Sequence, residues 1–561
     1  MKKKKRGYQA IEPDEILIDA ANLPAFDTTR LEGRIERPIG RKAFRVFLGV
    51  LGSVGVLMAV QLVNLQVLRY DALSARAEAN SLNQSTIVAP RGLLTDRNGN
   101  PLAENVSTDD PTLVTRVYPL GAAAANLIGY VSYPKRDQNG FWYQETTEGV
   151  VGIEAAENDV LAGKNGMKIS ETNASGGTVS GSIVREPQSG NDIRLSIDAD
   201  LQKELYAEIQ TRSEESHWRG GSGAIMDIKT GELVAVVSYP SFDPEVMSSG
   251  APKAEVERFL GDARSPFLDR VVSGLYTPGS VVKPFIASAA LETHIIDPQK
   301  QILSTGSISV PNPYDSAHPS IFKDWRVNGW VDLRHAIAVS SDVYFYEVGG
   351  GFENQAGLGI SAIEKYMRLF GFGAQTGVAL QGEEAGTIPN PEWKANNFNN
   401  EAWFLGDTYH TAIGQYGFQV TLLQLVRGIA AIANGGTLVT PVIEAGTKGT
   451  GVQIPVSDGN LHVVREGMRL CVTEGICQAL AVSGLHTAAK TGTAQVGARN
   501  EYANSLVEGF FPYEHPRYAF AVVMERAPAG TLQGAPSVMG QILQWIVTKK
   551  PEMISEAASA H

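Results

Sequence analysis

One long apolar segment, residues 46–68, constrains this chain more than any other feature of its sequence. The segment reads VFLGVLGSVGVLMAVQLVNLQVL and contains no formally charged residue. As a helix it spans about 34 Å, enough to cross a hydrocarbon core of about 30 Å. Because the sequence holds no second apolar run of comparable length, we predict a single membrane-spanning helix at 46–68.

The charges on either side of this segment predict its orientation. Residues 1–45 hold 11 Lys/Arg and 7 Asp/Glu, a net charge of +4, and the remaining residues hold 37 and 53, a net charge of −16. The positive-inside rule then places 1–45 in the cytoplasm and the chain beyond the segment outside. A buried core helix and a cleaved signal peptide are the alternatives. The run is too long for a signal peptide, and the small-residue pattern at 75–77 lies well past its end.

The composition is that of a globular protein, with 43% hydrophobic and 19% charged residues, and it excludes a mainly disordered chain. Two cysteines exclude a disulfide-stapled scaffold and a cysteine-rich zinc module. The net charge of −12 argues against a nucleic-acid binder, whose surface is usually basic.

The pattern of residue types along the sequence changes near residue 190. Residues 90–190 are rich in turn signals, among them DRNGNP at 96–101, and predict a β-rich region without long helices. Beyond 190, strand-like and helical runs alternate and predict one large α/β domain. The predicted organisation is a cytoplasmic tail at 1–45, the membrane helix at 46–68, a β-rich domain at 69–190, an α/β domain at 191–550 and a short tail at 551–561.

The first of three short motifs is YTPGSVVKPF at 276–285. Pro278 and Gly279 break the chain before an apolar helical run, which predicts Ser280 at a helix start and Lys283 one turn later on the same face. A serine hydroxyl becomes a nucleophile when a neighbouring base takes its proton, and a lysine with a lowered pKa serves as that base. The alternative is a serine that caps the helix and a lysine in solvent.

The second motif, VSSDVYFY at 339–346, embeds a small polar triplet in apolar sequence. Buried serine and carboxylate groups need hydrogen-bond partners. Ser340 is therefore a candidate to relay a proton, and Asp342 a candidate to accept from a lysine ammonium or a substrate amide. The alternative is a helix cap, which both residue types favour.

The third motif, AAKTGTAQV at 488–496, places a cation and two hydroxyl groups around a glycine in a strand-like segment. Gly492 lets another backbone approach closely. Lys490 suits a substrate carboxylate, and a strand edge suits an extended peptide that adds as a further strand. The alternative is an ordinary edge strand.

In this order, S-x-x-K, S-x-D and K-T-G resemble the signature of the serine penicillin-recognising acyl transferases. PRGLLTDRNG at 90–99 and GVVGIE at 149–154 are similar to two pedestal motifs of class B penicillin-binding proteins. The resemblance implies an α/β (α+β) transpeptidase domain with a central antiparallel sheet flanked by helices. It also implies an elongated β-rich pedestal, or dimerisation, domain before it and a single transmembrane helix.

The resemblance further implies serine-type D-Ala-D-Ala transpeptidation of peptidoglycan. A stem peptide would acylate the serine of the first motif with loss of D-alanine, a second stem peptide would close the cross-link, and β-lactams would trap the acyl-enzyme. The expected catalytic residues are Ser280 as nucleophile, Lys283 as general base, Ser340 and Lys490 as proton shuttle, and Asp342 beside the two lysines; Thr491, Gly492 and Thr493 would bind substrate, and the backbone N–H groups of Ser280 and Thr493 would form the oxyanion hole.

The middle motif departs from the S-x-N of most relatives. Asp342 and the YFY at 344–346 resemble the elongation-specific subgroup, and the extra carboxylate is expected to hold both lysines protonated more firmly. Some elongation-type relatives bind zinc here through an Asp, a His and a Cys. Asp324 remains, but Trp330 and Ser341 stand where the His and the Cys would be, so we predict no metal and no cofactor.

Location and partners also follow from the resemblance. We expect a single-pass protein of the bacterial inner membrane with a cytoplasmic N-terminus and a periplasmic catalytic domain. The expected partners are peptidoglycan stem peptides on a lipid-linked precursor polymer, β-lactams at Ser280, a SEDS-family glycosyltransferase and the elongation machinery, without nucleic acid. A septal transpeptidase is the nearest alternative. A penicillin sensor would add several transmembrane helices, and a β-lactamase needs neither a pedestal nor an anchor.

Two further features depart from the family pattern or stay open. The relatives' G-Q-G reads GQYG at 414–417 here, which predicts an altered loop. Cys471 and Cys477 face an oxidising compartment, where a disulfide can form. Of a disulfide and two buried free thiols, we favour the free thiols.

Overall fold

The structure is a computed structural model that describes residues 40–74, 82–107, 114–137, 142–172, 178–312, 315, 317–497 and 499–555. The chain separates into two compact units, Met1–Asn83 with Glu171–Val179 and Gln84–Ser170 with Ser180–His561. The first unit contains the apolar segment. The second contains most of the β-rich region and all three motifs.

Strands and helices alternate along most of the described chain. The strands are β1 (Leu82–Ile87), β2 (Leu94–Thr95), β3 (Pro101–Ser107), β4 (Val114–Val117), β5 (Val131–Ser132), β6 (Lys135–Arg136), β7 (Trp142–Gln144), β8 (Glu148–Gly149), β9 (Gly166–Thr172), β10 (Thr178–Arg185), β11 (Ile193–Arg194), β12 (Gly220–Asp227), β13 (Leu233–Tyr239), β14 (Ile302–Ser304), β15 (Ser307–Val310), β16 (Ser320–Lys323), β17 (Gly329–Val331), β18 (Thr437–Val439), β19 (Gly451–Gln453), β20 (Ala488–Val496), β21 (Tyr502–Phe511) and β22 (Tyr518–Pro528). The α-helices are α1 (Arg41–Val63), α2 (Ala125–Ile128), α3 (Gly152–Ala156), α4 (Asn158–Leu161), α5 (Ala199–Glu215), α6 (Pro244–Ser249), α7 (Lys253–Gly261), α8 (Lys283–Glu292), α9 (Leu333–Val339), α10 (Asp342–Gly350), α11 (Gly359–Leu369), α12 (Pro391–Asn397), α13 (Leu405–Ala412), α14 (Leu422–Ala433), α15 (Asp458–Thr473) and α16 (Ala535–Lys549).

The apolar segment is helical, as its sequence predicts. Helix α1 begins at Arg41, before the predicted start, and continues after Val63 as a π-helical turn, Asn64–Leu68. The earlier start has a simple cause, since lysine and arginine are good helix formers and extend the helix into the basic flank. Within the described residues, Arg41–Leu68 is the one helix long and apolar enough to cross a membrane. It fits a single-pass anchor.

The β-rich region is built of short strands and very short helices. A four-stranded sheet has the order β11-β2-β3-β4, and a three-stranded sheet has the order β1-β9-β10. Helices α2, α3 and α4 are only four or five residues long. The prediction of a β-rich region without long helices is therefore confirmed for the described residues of this region.

The core of this region holds a buried ion cluster, here called the arginine cluster (Arg91, Arg116 and Glu154). Arg91 Nε donates to Glu154 Oε2 and Arg116 Nε donates to Glu154 Oε1, both at 2.8 Å. All three residues are buried, and Glu154 is 0% exposed. Arg91 also donates to the carbonyl oxygen of Thr147 at 2.8 Å. Arg91 and Glu154 come from the two pedestal-like motifs, so these motifs build the core of the region.

Five antiparallel strands in the order β13-β12-β22-β21-β20 form the centre of the large domain. Helix α14 packs on one face, against β12, β21 and β22. Helices α5 and α16 pack on the other face over a second apolar core. Every residue of β12 and β13 is buried, which explains why both strands are so poor in charge. The expected antiparallel sheet flanked by helices is confirmed.

Local sequence explains where two of these helices begin. Helix α5 follows Asp198, whose side chain accepts a hydrogen bond from Leu201 N. Helix α14 follows Thr421, which forms a reciprocal capping box with Gln424. In both cases a short polar side chain satisfies an N–H group that the first helical turn leaves without a backbone partner.

The two cysteines form a disulfide, so the preference for free thiols is wrong. Cys471 lies near the end of α15, and Cys477 N donates to Cys471 O at 2.8 Å as the chain turns back. This turn brings the two Cα atoms to 5.0 Å, within the range that a disulfide bridges. Helix α15 ends at Thr473, so the chain turns at Glu474 and Gly475 and brings Cys477 back beside Cys471.

Candidate active site

The first motif forms the turn that starts α8. Residues Gly279–Val282 make one 3₁₀ turn, and the α-helix begins at Lys283. Ser280 is half-buried. Lys283 is 0% exposed, so the alternative of a lysine in solvent is wrong. The N–H of Gly279, which has a φ of 58°, donates to Gly414 O at 2.9 Å and fixes the turn.

The second motif lies at the junction of two helices. Helix α9 ends at Val339, Ser340 has a left-handed φ of 59°, and α10 begins at Asp342. Such a backbone conformation is uncommon outside glycine and is found repeatedly at functional sites. Ser341 Oγ accepts from Tyr344 N at 3.3 Å. The helix-cap alternative is therefore right for Ser341, whereas Ser340 and Asp342 bind lysine.

The third motif forms the middle of β20, which ends the strand order of the central sheet. Lys490 is fully buried, Thr491 is half-buried and Thr493 is exposed. A Cβ atom on Gly492 would lie 2.7 Å from Pro278 O, so only glycine lets the strand pass the turn of the first motif. As an edge strand, β20 presents backbone N–H and C=O groups to an added strand.

The three motifs converge on the hydroxyl group of Ser340. Lys283 Nζ donates to Asp342 Oδ1 at 2.6 Å, to Ser340 O at 2.8 Å and to Ser340 Oγ at 3.2 Å. Lys490 Nζ donates to Ser340 Oγ at 2.9 Å and to Thr491 O at 2.8 Å. The Ser340 hydroxyl therefore joins the two lysines in one hydrogen-bonded chain.

The surroundings of the two lysines differ. Lys283 has a carboxylate partner, whereas the hydrogen bonds of Lys490 go to neutral groups. Burial holds the pKa of Lys490 well below its ordinary value, and the charge of Lys283 lowers it further. Asp342 acts on Lys490 in the expected direction, toward protonation, but burial outweighs it.

The turn that carries Ser280 lies against the backbone of β20. A Cβ atom on Gly279 would come within 3.0 Å of Thr493 O. Ser280 follows this glycine directly, and Thr493 is the last residue of the substrate-binding set that the sequence predicts. The structure thus places the serine turn against β20, which carries Lys490, Thr491, Gly492 and Thr493, and Lys283 follows that turn directly.

The loop at 414–417 packs in an aromatic cluster. Tyr416 adopts a φ of 63°. Its ring stacks on Phe398 at a centroid distance of 6.1 Å and meets the edges of Trp393 and Trp403. Gly414 O accepts a hydrogen bond from the turn of the first motif, and an altered loop relative to the relatives stays a prediction.

The residues left from the relatives' zinc site are engaged with one another. Ser341 Oγ donates to Asp324 Oδ2 at 2.8 Å, and Val343 N donates to the same oxygen at 3.1 Å. Trp330 is exposed. In the part of the chain that the structure describes, no group of three or more His, Cys, Asp or Glu side chains is arranged to hold a metal ion. That the protein works without a metal stays a prediction.

One buried acidic residue beside the site was missed from the sequence. Glu508 lies directly opposite Lys490 in the register of β20 and β21, and it is 0% exposed. The only signal was a charged residue inside the apolar run SLVEGFF. Without the register of the strands, nothing connected this charge with Lys490.

Comparison with known families gives the class of the chain. Residues 221–544 match the penicillin binding protein transpeptidase domain, and residues 109–195 match the penicillin-binding protein dimerisation domain. The chain therefore belongs to the penicillin-binding protein transpeptidase family. The resemblance drawn from the three motifs and the predicted enzyme class are confirmed.

Individual relatives of the chain carry the name of one enzyme within this family. The chain is 28% identical to the peptidoglycan D,D-transpeptidase MrdA of Escherichia coli (strain K12), over 90% of this chain and 94% of that protein. It is 32% identical to MrdA of Acinetobacter baumannii, over 80% of this chain and 68% of that protein. Two solved structures are similar at 28% identity. They are PBP2 in a complex with MreC from Helicobacter pylori, covering 84% of this chain and 99% of that one with a TM-score of 0.68, and PBP2 of Pseudomonas aeruginosa with WCK 5153, covering 85% and 100% with a TM-score of 0.69.

Proposed function

We propose that this chain is a peptidoglycan D,D-transpeptidase that cross-links stem peptides through an acyl-enzyme at Ser280 during cell-wall elongation. The observation that carries the proposal is the hydrogen-bonded chain Lys283–Ser340–Lys490 beside the Ser280 turn and the edge strand. The activity in the names of the relatives supports the substrate class.

In the acylation step, Ser280 Oγ attacks the carbonyl carbon of the penultimate D-alanine of a stem peptide. Lys283, acting as the free amine, accepts the serine proton. Lys490 gives its proton to the departing D-alanine nitrogen, and the Ser340 hydroxyl passes a proton from Lys283 to Lys490. The C–N bond breaks and the serine ester forms. The lowered pKa of Lys490 suits a group that donates a proton near neutral pH.

The carbonyl oxygen becomes negatively charged in this step. Backbone N–H groups of Ser280 and Thr493 would hold it, and in other enzymes one such donor is worth about 3–4 kcal/mol. The contact between the Gly279 turn and Thr493 O supports this arrangement, because it holds the two backbones side by side.

The stem peptide would lie along β20 as an added strand. Thr491 and Thr493 would hydrogen-bond its carboxylate and its backbone, and Gly492 keeps the strand close to the serine turn. The amine of a second stem peptide then attacks the ester, its proton returns along the same chain to Ser280 Oγ, and the cross-link forms. A β-lactam would enter by the same route and remain bound as a stable ester.

The apolar helix Arg41–Leu68 and the basic residues before it support an inner-membrane anchor with a cytoplasmic N-terminus and a periplasmic catalytic domain. We propose a pedestal at 69–190 and a transpeptidase domain at 191–550, consistent with the family matches at 109–195 and 221–544. A SEDS-family glycosyltransferase and the elongation machinery are the proposed partners. The complex of Helicobacter pylori PBP2 with MreC supports partners of this kind.

The chemistry is tested by covalent labelling of the full chain in detergent with a fluorescent penicillin. Ser280→Ala should abolish the label. Ser288→Ala is the matched control, because Ser288 is a buried serine of α8 whose hydroxyl only donates to Pro284 O at 2.8 Å. Labelling that survives Ser280→Ala would overturn the assignment of Ser280 as the nucleophile.

The cellular role is tested by depletion. Loss of an elongation enzyme should give round cells. Filamentous cells would contradict the elongation role and indicate the septal alternative.

A further inference from the structure

A second acidic residue stands next to Lys490, outside the three motifs. Glu508 and Lys490 are cross-strand partners on β21 and β20. Directly opposite residues of an antiparallel pair point to the same face, with Cβ atoms about 4.5–5.5 Å apart. Both residues are 0% exposed.

The surroundings of Glu508 are apolar. Its same-face neighbours on β21 are Leu506 and Phe510, and its partner on β22 is Ala521, all fully buried. Within the described residues, neither carboxylate oxygen of Glu508 has a hydrogen-bond partner. A buried carboxyl group in such a place is costly, because it has lost water and gained no donor.

The charges that act on this pair are few. Lys490 is the charged residue that acts on Glu508. Lys283, Asp342 and Glu508 act on Lys490. Burial raises the pKa of Glu508 well above its ordinary value and lowers that of Lys490, and each group opposes the shift of the other. Each group therefore favours the charged form of the other, so the carboxylate of Glu508 favours the ammonium form of Lys490.

We propose that Glu508 is a positioning residue that keeps a proton on Lys490, through its place directly behind that lysine in the sheet. Asp342 is bound to Lys283 at 2.6 Å, so a second carboxyl is needed to balance the second lysine. With the proton retained, Lys490 can donate to Ser340 and to the leaving nitrogen. The inference rests on the proposed function, because it assigns Lys490 a proton to deliver.

The first test is the pH profile of acylation, measured on the full chain with a fluorescent penicillin. Glu508→Gln keeps the shape and removes the charge, so Lys490 loses its proton at lower pH. We expect the alkaline limb to move down by about one pH unit, and the rate on that limb to fall about tenfold. The rate on the acid side should be unchanged. Glu508→Asp keeps the carboxylate, so the alkaline limb should return most of the way to its native pH.

Two controls separate this role from others. Glu255→Gln removes one exposed carboxylate, paired with Arg258 on α7, and should leave the profile unchanged. Glu508→Leu should raise the thermal unfolding midpoint, because it removes a buried carboxyl without partners. A lower midpoint together with an unmoved alkaline limb would indicate a purely structural residue and overturn the proposal.

A second measurement does not depend on substituting Glu508. Infrared spectra of the ¹³C-glutamate-labelled full chain report protonated carboxyl groups. In Lys490→Met the neighbouring cation is gone, so the band of a buried protonated glutamate should grow relative to the native chain. Equal bands would overturn the coupling. Failure of the native chain to react with penicillin would instead overturn the proposed function and leave the coupling measurable.

Discussion

Two of the buried clusters of charged side chains among the described residues are built in opposite ways. In the arginine cluster, two cations share one carboxylate, and each Glu154 oxygen accepts at 2.8 Å. In the active site, which we call the lysine cluster (Lys283, Asp342, Lys490 and Glu508), one carboxylate is paired and the other has no hydrogen-bond donor among the described residues. In the first arrangement an arginine binds each carboxylate oxygen, and the second leaves a proton free to move.

The choice of cation fits this difference. Arginine stays charged at any physiological pH and presents a planar fork that matches a carboxylate. Lysine changes its protonation state readily when it is buried, which is what an acid–base group requires. The pedestal therefore uses buried charge for structure, and the site uses it for chemistry.

The largest expected effect is on the arginine cluster. Glu154→Gln leaves Arg91 and Arg116 buried without a counter-charge, and should lower the free energy of unfolding by about 3–5 kcal/mol, toward the upper end because two cations are stranded. Urea unfolding measures it. Asp159→Asn, an exposed carboxylate on α4, is the control and should change little. Unchanged stability together with a loss of penicillin acylation in the folded variant would contradict a structural role for the arginine cluster.

The next effect is on the lysine cluster. Lys283→Met should slow acylation about a thousandfold, or about 4 kcal/mol, because the serine loses its base. The unfolding midpoint should fall less than in Glu154→Gln, because methionine fills a similar volume and the Asp342 carboxylate left without its partner is 17% exposed. The acylation rate and the midpoint are measured on the same sample. A variant with a much lower midpoint that still reacts at the native rate while folded would assign Lys283 to structure.

A smaller effect is expected at Asp342, which lies 2.6 Å from Lys283. Asp342→Asn keeps a hydrogen-bond acceptor for Lys283 and removes a carboxylate charge that also acts on Lys490. The rate of acylation by a fluorescent penicillin should therefore stay within about a hundredfold of the native rate, or about 2.7 kcal/mol. A greater loss would show that Asp342 acts directly on substrate.

The smallest effect concerns the disulfide behind the lysine cluster. Its loop contacts the end of α9, where Ile476 N donates to Ala338 O at 3.2 Å, two residues before Ser340. Serine at both Cys471 and Cys477 should lower the free energy of unfolding by roughly 2 kcal/mol, as expected for a short loop. Acylation should be unchanged. A large drop in acylation would mean that the disulfide positions Ser340.

The site was largely predictable because its residues lie in three short motifs, whose residue types and spacing indicate a nucleophile, a base and a substrate-binding strand. Ser280, Lys283, Ser340 and Lys490 come together as expected. Glu508 could not be predicted, since its link to Lys490 depends on the register of two strands.

The fold was predictable in class but not in its internal contacts. Alternating runs indicated the sheet and its helices, and turn signals indicated the β-rich region. Nothing in the sequence indicated that Arg116 is buried against a carboxylate, because its partner Glu154 is 38 residues away. The cysteine pairing depended on a turn after α15 that the spacing alone does not define.

The central claim is that Ser280 is the nucleophile that becomes acylated and that the lysine cluster moves its proton. Mass spectrometry of the penicillin-treated full chain, followed by peptide mapping, tests it most directly. The account predicts one adduct with the mass of the whole penicillin, on the peptide that contains Ser280. An adduct on another residue, or a folded chain that carries none, would contradict it.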